Sequence, residues 1–279
     1  MKKIIFICVN FNNLNYTKLF CESLQLQVGL GVDFNVHCSV VDNSTVDESA
    51  LEMEEYARNY SWIRYICANK NLGYFGGLNL GLRLIENREA DYVAICNNDI
   101  YLDPNFCQKL AKRNYADNVY AICPDIITED GIHQNPHNLV QIDKIRRFQF
   151  DLYFCHYYMA RIISLIFKLV RPIKSSPTQP SSGCEIHMGV GAFYLLTAAF
   201  FKEFDKLIYP HFLYAEEAYL TNQIHSKGGI LWFDPELRLC HAESASLSKI
   251  PKRTAYEFGR VSYWGCRKFL VNEKSIQSR

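Results

Sequence analysis

The sequence predicts an α/β protein with a mostly parallel central sheet flanked by helices. Apolar runs recur through the first half without strict alternation, which is typical of strands buried on both faces. Segments with apolar residues at helical spacing lie between these runs, so strand and helix alternate as in a doubly wound fold. A chain of 279 residues is long enough for one large α/β core or two small ones.

Four short runs rich in Ile, Val and aromatic residues predict the first strands, and Asn or Asp follows each of them closely. They span residues 3–9, 36–41, 63–67 and 92–96, and a fifth run at 119–127 extends the sheet. In open α/β sheets, ligands bind at the carboxyl ends of the strands. The polar residues at these ends are therefore candidate site residues.

A glycine-rich turn at residues 69–81 is the most informative feature of the chain, and Asn97-Asn98-Asp99 follows the next apolar run. Glycine lacks a Cβ, so backbone that opens a helix in this way can approach a polar ligand closely. A carboxylate at a strand end beside a phosphate-binding turn can hold a divalent cation. The alternative for Asp99 is a solvated turn residue.

Three other positions carry side chains suited to chemistry. Asp42 directly follows a buried strand and either caps the next turn or accepts hydrogen bonds from a ribose or base. Glu216 and Glu217 begin a predicted helix, where the dipole alone favours them, but upstream aromatics favour a partly dry carboxylate that acts as a general base. His241 closes another apolar run. It is either a structural residue or a ligand.

Composition narrows the function classes. The formal net charge of +1 argues against a nucleic-acid partner, and the 11 cysteines show no metal-site spacing, which favours reduced core thiols in the cytosol. The apolar run at the start is too short for a signal peptide.

Residues 148–170 are too charged to span a bilayer and predict an amphipathic helix. This helix either lies in a membrane interface or packs on its own protein. Residues 174–183 have loop composition.

The order of these motifs resembles the inverting family 2 glycosyltransferases of the GT-A fold, near the rhamnosyltransferase-like branch, from residue 4 to about residue 241. The matching residues are Val9-Asn10-Phe11-Asn12, Val41-Asp42-Asn43, the turn with Asn71, Gly73, Gly77, Asn79 and Gly81, Asn97-Asn98-Asp99 in place of Asp-x-Asp, Gly191-Ala192-Phe193, Glu216-Glu217 and His241. The sequence departs from the family pattern at Glu217, where Asp is usual, and at Tyr219 and Gln223 on the same helix.

The resemblance implies a direct displacement at the anomeric carbon of a nucleotide sugar. Glu217, next to Glu216, takes the acceptor proton, and Asp99 with His241 holds Mn²⁺ or Mg²⁺. The implied donor-binding residues are Asn10, Asp42, Asn71, Gly73, Gly77, Asn79, Asn97, Asn98 and Asp99, with Arg267 at the diphosphate. The implied donor is UDP- or dTDP-linked, and the acceptor is a saccharide on a polyprenyl diphosphate at the cytoplasmic membrane face, in cell-surface polysaccharide synthesis.

The expected domain organisation is a GT-A domain at 1–245 and a basic, aromatic helical tail at 246–279. Within the domain, 1–130 is the nucleotide-sugar half, 131–184 an amphipathic insert and loop, and 185–245 the acceptor and catalytic half, with acceptor-side helical additions. Two alternatives stay open at this point. One is a non-catalytic saccharide-binding module with the same fold, and the other is a sugar nucleotidyltransferase, which usually carries a basic Gly-rich loop where this chain has Asn10-Phe11-Asn12-Asn13.

Overall fold

The computed structural model describes residues 2–29, 34–44, 47–85, 90–170, 179–243 and 251–271. The strands are β1 Lys2–Asn10, β2 Phe34–Asp42, β3 Ile63–Cys67, β4 Tyr92–Asn97, β5 Ile100–Leu102, β6 Val119–Thr128, β7 Cys184–Ile186, β8 Phe193–Thr197 and β9 Ile230–His241. The helices are α1 Leu14–Gly29, α2 Asp47–Arg58, α3 Tyr74–Leu84, α4 Phe106–Ala111, α5 Lys144–Cys155, α6 Tyr157–Val170, α7 Ala198–Glu203, α8 Glu216–His225 and α9 Lys252–Cys266, followed by a short 3-10 turn at Arg267–Phe269.

In the described ranges the strands form one mixed sheet in the order β3-β2-β1-β4-β8-β6-β9-β5, with β7 paired to β9. The predicted α/β class is confirmed, and all five predicted strands are present. The pairs β3/β2, β2/β1, β1/β4 and β6/β9 are parallel. The four antiparallel pairings all involve β5, β7 or β8. β5 and β7 have only three residues each, too few to show a pattern in the sequence, and β8 has five.

The core lies on both faces of the sheet. In β1, Ile4, Phe6 and Cys8 point to the side covered by α1 and α2. Ile5 and Ile7 point to the opposite side, which α3 covers. All five side chains are almost completely buried, which explains the unbroken apolar run of this strand.

The insert and the tail pack against each other. The predicted helix at 148–170 is two helices, because the backbone of His156 is extended between α5 and α6. Phe154 of α5 stacks on Tyr263 of α9 with ring centroids 4.7 Å apart. A third apolar cluster joins α8 to this layer through Tyr219 and Cys266. The insert therefore packs on its own protein along α5, while the face of α6 away from the body is exposed.

The remaining expectations from composition have mixed outcomes. All 11 cysteines lie in described ranges and none is in a disulfide. Of the predicted loop, residues 174–178 lie outside the described residues, and 179–183 have no helix or strand. None of the helices in the described ranges combines the length and the apolar character needed to cross a bilayer.

Candidate active site

Asp99 and His241 lie side by side at the carboxyl edge of the sheet, as the sequence predicts. Asp99 follows β4 and His241 ends β9, and the backbone N–H of Ala242 donates to the carbonyl of Asp99 at 2.9 Å. His241 Nε2 lies 3.3 Å from Asp99 Oδ1. Both residues are at least nine-tenths buried, at 4% and 9% exposure.

A polar side chain behind His241 fixes the orientation of its ring. His241 Nδ1 lies 2.9 Å from Gln134 Oε1, and Gln134 Nε2 donates to Glu243 Oε1 at 2.8 Å. Because the amide nitrogen of Gln134 is committed to Glu243, its oxygen faces the ring and accepts the proton of Nδ1. The lone pair of Nε2 then points toward Asp99, the arrangement that a metal-binding histidine needs. No sequence pattern indicated Gln134, which lies in an irregular segment.

The Asp99–His241 pair fits a divalent cation as a two-ligand protein site. Carboxylate oxygen and imidazole nitrogen both bind Mn²⁺, and Mg²⁺ prefers few protein ligands with phosphate oxygens completing its shell. Among the described residues, no three His, Cys, Asp or Glu side chains are grouped for metal binding.

The ends of β1, β2 and β4 are tied together by one polar network. Asn10 Nδ2 donates to Asp42 Oδ1 at 3.0 Å, and Tyr65 donates its hydroxyl to Asp42 Oδ2 at 3.1 Å. Asn98 Nδ2 donates to Asn10 Oδ1 at 3.2 Å and to Thr17 Oγ1 at 2.8 Å. The three predicted residues are thus brought together, and all three are buried. In the structure this network positions the strand ends.

The glycine turn packs α3 closely against its neighbours, and the ligand-binding role expected for it stays a prediction. Gly73 has φ of +74°, and a Cβ there would lie 2.2 Å from the carbonyl oxygen of Phe212. A Cβ on Gly77 would lie 2.9 Å from Val9 Cγ2. Asn71 Oδ1 accepts the Gly73 N–H at 2.9 Å. These contacts let α3 sit directly on the sheet.

Asn79 also has a structural use. Its Nδ2 donates to the carbonyl of Leu207 at 2.9 Å, and its Oδ1 accepts the Leu207 N–H at 2.8 Å. Because both polar atoms of its side chain bind backbone, Asn79 holds the segment after α7 against α3. Its expected contact with a donor stays a prediction.

The two glutamates at the start of α8 have different environments. Tyr214 and Ala215 take left-handed backbone conformations, with φ of 74° and 62°, and turn the chain into the helix. Glu216 is 7% exposed, and burial together with the charge of Glu217 raises the pKa of its carboxyl to about 8. Glu217 Oε1 accepts the N–H of Gly191 at 3.1 Å. Glu216 is therefore the dry, protonated carboxyl, and Glu217 is the one presented to neighbouring groups.

The segment Gly191-Ala192 connects the glutamates to the Asp99 region. Tyr74, the first residue of α3, donates its hydroxyl to the carbonyl of Gly191 at 2.9 Å. The N–H of Asn97 donates to the carbonyl of Ala192 at 2.9 Å. Burial raises the pKa of the Tyr74 hydroxyl, which keeps it a neutral donor. Tyr74 lies inside the glycine motif, but its role was not predicted, because the motif is read from its glycines and asparagines.

Arg267 is bound elsewhere than the Asp99 region and the two glutamates. Its Nε and Nη2 each bind an Asp151 carboxylate oxygen at 2.6 Å, a bidentate ion pair that ties the 3-10 turn to α5. The guanidinium of Arg267 is thus paired inside the protein, and its expected binding of a diphosphate stays a prediction.

Glu217 faces a cavity of about 640 Å³ between α5, α8 and α9. Aromatic side chains dominate one side of it, namely Phe150, Tyr153, Phe154, Tyr256 and Tyr263. Arg146 and Lys252 also line it, and Glu217 is the acidic lining residue. Aromatic faces suit the apolar faces of sugar rings, and the cations suit an anionic group.

The glycosyl transferase family 2 model matches residues 5–171 of the sequence. The chain belongs to this family. A crystal structure of GalNAc-T7 with UDP, GalNAc and Mn²⁺ has the same fold, with a TM-score of 0.53 and 13% identity. The match covers 87% of this chain but 44% of that one, so this glycosyltransferase spans less than half of the GalNAc-T7 chain. No curated protein matches it in sequence.

The candidate residues of this family 2 glycosyltransferase fall into groups. Asp99, His241 and Asn97 form one cluster, and Glu216 with Glu217 forms another, linked to the first through the 191–192 backbone. Asn10, Asp42 and Asn98 form the buried network below the strand ends. Asn71, Gly73, Gly77 and Asn79 hold α3 in place, and Arg267 lies apart in its pair with Asp151.

Proposed function

We propose that this chain is an inverting glycosyltransferase that moves a sugar from a UDP- or dTDP-linked donor to a saccharide acceptor. We further propose that it is a rhamnosyltransferase-like enzyme of cell-surface polysaccharide synthesis, acting at the cytoplasmic membrane face on an acceptor carried by a polyprenyl diphosphate. One observation carries the proposal. Glu217, which faces a cavity, accepts the N–H of Gly191, and the carbonyl of the next residue, Ala192, accepts the N–H of Asn97, two residues before Asp99 in the Asp99–His241 pair.

In the proposed reaction, an acceptor hydroxyl in the cavity attacks the anomeric carbon from the face opposite the diphosphate. The new C–O bond forms as the bond to the diphosphate oxygen breaks, and the hydroxyl proton passes to Glu217. A positioned base of this kind contributes ~10²–10⁴ in rate. Glu216, being neutral near pH 7, adds no second negative charge beside the base, and the Gly191 N–H orients the base carboxylate.

Asp99 and His241 are the residues that would hold Mn²⁺ or Mg²⁺. The cation supplies neutralisation of the negative charge that develops on the departing diphosphate. The imidazole favours Mn²⁺ over Mg²⁺. The contribution of this chain is to orient the His241 ring through Gln134 and to hold the Asp99 carboxylate next to Nε2.

A thermal-shift screen of UDP, dTDP and GDP, each with Mn²⁺ or EDTA, tests donor and metal binding. A ligand at a hundredfold excess over its Kd stabilises the folded state by about 2.7 kcal/mol. We expect a metal-dependent shift with UDP or dTDP that Asp99→Asn abolishes. The matched control Asp91→Asn, a carboxylate at the opposite end of β4, should keep the shift.

A transfer assay with Glu217→Gln tests the base. This variant should keep the nucleotide shift but lose ~10²–10⁴ in turnover, whereas the exposed control Glu55→Gln should not. The anomeric configuration of the product, read by NMR, reports inversion. A nucleotide-independent protein that still binds saccharides would instead be a binding module, and retention at the anomeric carbon would refute the displacement described above.

A further inference from the structure

The two helices of the insert present apolar side chains that nothing among the described residues covers. In α5, Ile145, Phe148 and Leu152 recur at i, i+3 and i+7, with Ile145 70% and Phe148 65% exposed. This spacing puts them on one face of the helix. Exposed apolar side chains scattered singly are ordinary, but a stripe along one face marks a contact surface.

The next helix continues the pattern. On α6, four large side chains recur at i, i+4, i+7 and i+8, and each is more than half exposed; they are Tyr158, Ile162, Leu165 and Ile166. Ala160, on another side of the same helix, is buried against the protein. The helix therefore packs on the protein near Ala160 and directs an apolar face outward, and Phe167 near its end is also 52% exposed. We call the seven side chains that recur at helical spacing on α5 and α6 the insert face.

The charges around the insert face are almost all positive. Residues 144–170 contain five Lys or Arg and one acid, Asp151, which is paired with Arg267. Arg161 is exposed on α6, and the guanidinium of Arg253 lies 5.8 Å from the ring centre of Tyr157. An apolar face with tyrosines and cations at its borders is typical of a helix that lies in the headgroup region of an anionic bilayer.

A second copy of the chain is a less suitable occupant. Most homodimers are two-fold symmetric, so each surface would meet an identical one. The cations that border the insert face would then lie against the cations of the second copy. Asp151 would not neutralise them, because it is paired with Arg267 within each subunit. An anionic lipid surface matches both the apolar stripe and the charge.

We infer that the insert face docks on an anionic lipid bilayer. Arg146, Phe150, Tyr153 and Phe154 of α5 also line the cavity that Glu217 faces, so the docked helix forms a wall of that cavity. A bilayer at this face would therefore carry a lipid-linked acceptor to the cavity; this last step rests on the proposed function, whereas lipid binding itself does not.

The test is flotation of the full chain with vesicles, without nucleotide or acceptor, so that it is separate from transfer activity. Vesicles of phosphatidylcholine with phosphatidylglycerol should bind the protein, and pure phosphatidylcholine should bind it more weakly. The triple variant Ile162→Ser, Leu165→Ser, Ile166→Ser should bind at least about tenfold more weakly. The matched control is Leu19→Ser, Leu26→Ser, Leu51→Ser, three leucines on α1 and α2 with comparable exposure.

A charge variant keeps the inference testable should the apolar triple variant not fold. Arg161→Gln with Arg253→Gln should weaken binding to anionic vesicles by about fivefold per charge and reduce its salt dependence. Lys112→Gln with Lys202→Gln, two exposed cations elsewhere, should not. Equal binding of insert-face and control variants would overturn the inference. So would a wild-type chain that ignores anionic vesicles, or a wild-type dimer that the α6 variant dissociates, which would assign the face to a second copy.

Discussion

Two identical residues at adjacent positions have opposite environments at the start of α8. Glu216 is buried, while Glu217 reaches the N–H of Gly191 and the cavity. The sequence predicted that the partly dry carboxylate of the pair is the base, and the resemblance assigned the base to Glu217, whereas the residue that the structure buries is Glu216. Which glutamate is buried depends on the left-handed backbone of Tyr214 and Ala215, which sets the rotation of the first helical turn. Such conformations are uncommon for residues other than glycine, and the sequence gives little sign of them.

The raised pKa of Glu216 predicts a dependence of stability on pH. Its carboxyl titrates at about 8 in the folded chain against an ordinary value of 4.5, so the folded state holds a proton that the unfolded chain releases between these values. Stability therefore falls as pH rises through this window, by on the order of a few kcal/mol in total. Glu216→Gln should flatten the fall, measured as urea unfolding from pH 5 to 9. Glu55→Gln, at an exposed site, should reproduce the wild-type profile; a wild-type slope in Glu216→Gln would contradict the assignment.

The contact between Gln134 and His241 predicts that metal affinity can be lowered without removing either proposed metal ligand. Gln134→Leu deletes the acceptor for the Nδ1 proton of His241, so the ring loses its fixed orientation. Loss of such an orienting contact typically lowers metal affinity by about 10–100-fold. Titration of Mn²⁺ by electron paramagnetic resonance in the presence of UDP would measure it. Gln25→Leu, on the exposed side of α1, is the control, and unchanged affinity in Gln134→Leu would show that the ring is oriented by other contacts.

At the scale of elements, the glycine motif of α3 is a packing device. The glycines at 73, 77 and 81 bring the helix against Phe212, Val9 and Ile7, which explains their regular spacing without any ligand. The sequence revealed the motif but not its use, because a glycine required by a ligand and a glycine required by a neighbouring strand look the same. The partners of Asn79 and Arg267 were hidden for a similar reason, since they lie 128 and 116 residues away.

Gly81→Ala should test this view of α3. A Cβ at this position would lie 2.5 Å from Ile7 Cγ2 and 3.1 Å from Val41 Cγ2, inside a closed core. Overpacking of this kind costs about 1–3 kcal/mol. Gly259→Ala, in α9, meets only Phe154 at 3.4 Å and should gain up to about 1 kcal/mol of helix propensity. Urea unfolding measures both, and a loss at Gly259 equal to that at Gly81 would argue against a packing role specific to α3.

Strand prediction succeeded where burial on both faces leaves a continuous apolar run, as in β1 and β4. It failed to show the mixed sheet, because β5 and β7 have three residues each and take their pairing from β9. The candidate site followed the same rule. Residues at the ends of long strands, such as Asp99 and His241, were predicted together, whereas Gln134 and Tyr74 depend on tertiary contacts.

At the scale of the whole molecule, the insert, α8 and α9 form one layer. Tyr263 of α9 stacks on Phe154 of α5, and its cluster includes Ala218 and Tyr219 of α8, next to Glu216 and Glu217. The expected division at residue 245 separates segments that share this cluster. The division at residue 245 remains a prediction. Residues of α9, in the expected tail, line the cavity that Glu217 faces.

Neighbouring aromatic residues on α9 can decide whether that tail is an appendage or an integral part of the fold. Tyr263 is 4% exposed and donates its hydroxyl to the backbone carbonyl of Arg147 at 3.1 Å, whereas Trp264 is 44% exposed. Tyr263→Ala should therefore destabilise the entire molecule by about 3–5 kcal/mol in a single unfolding transition. Trp264→Ala should cost clearly less than Tyr263→Ala, since 44% of Trp264 stays exposed to water against 4% of Tyr263. Calorimetry and far-ultraviolet circular dichroism measure both variants. If the tail folds independently of the sheet, Tyr263→Ala will leave the main transition unchanged, and the shared cluster will have no energetic weight.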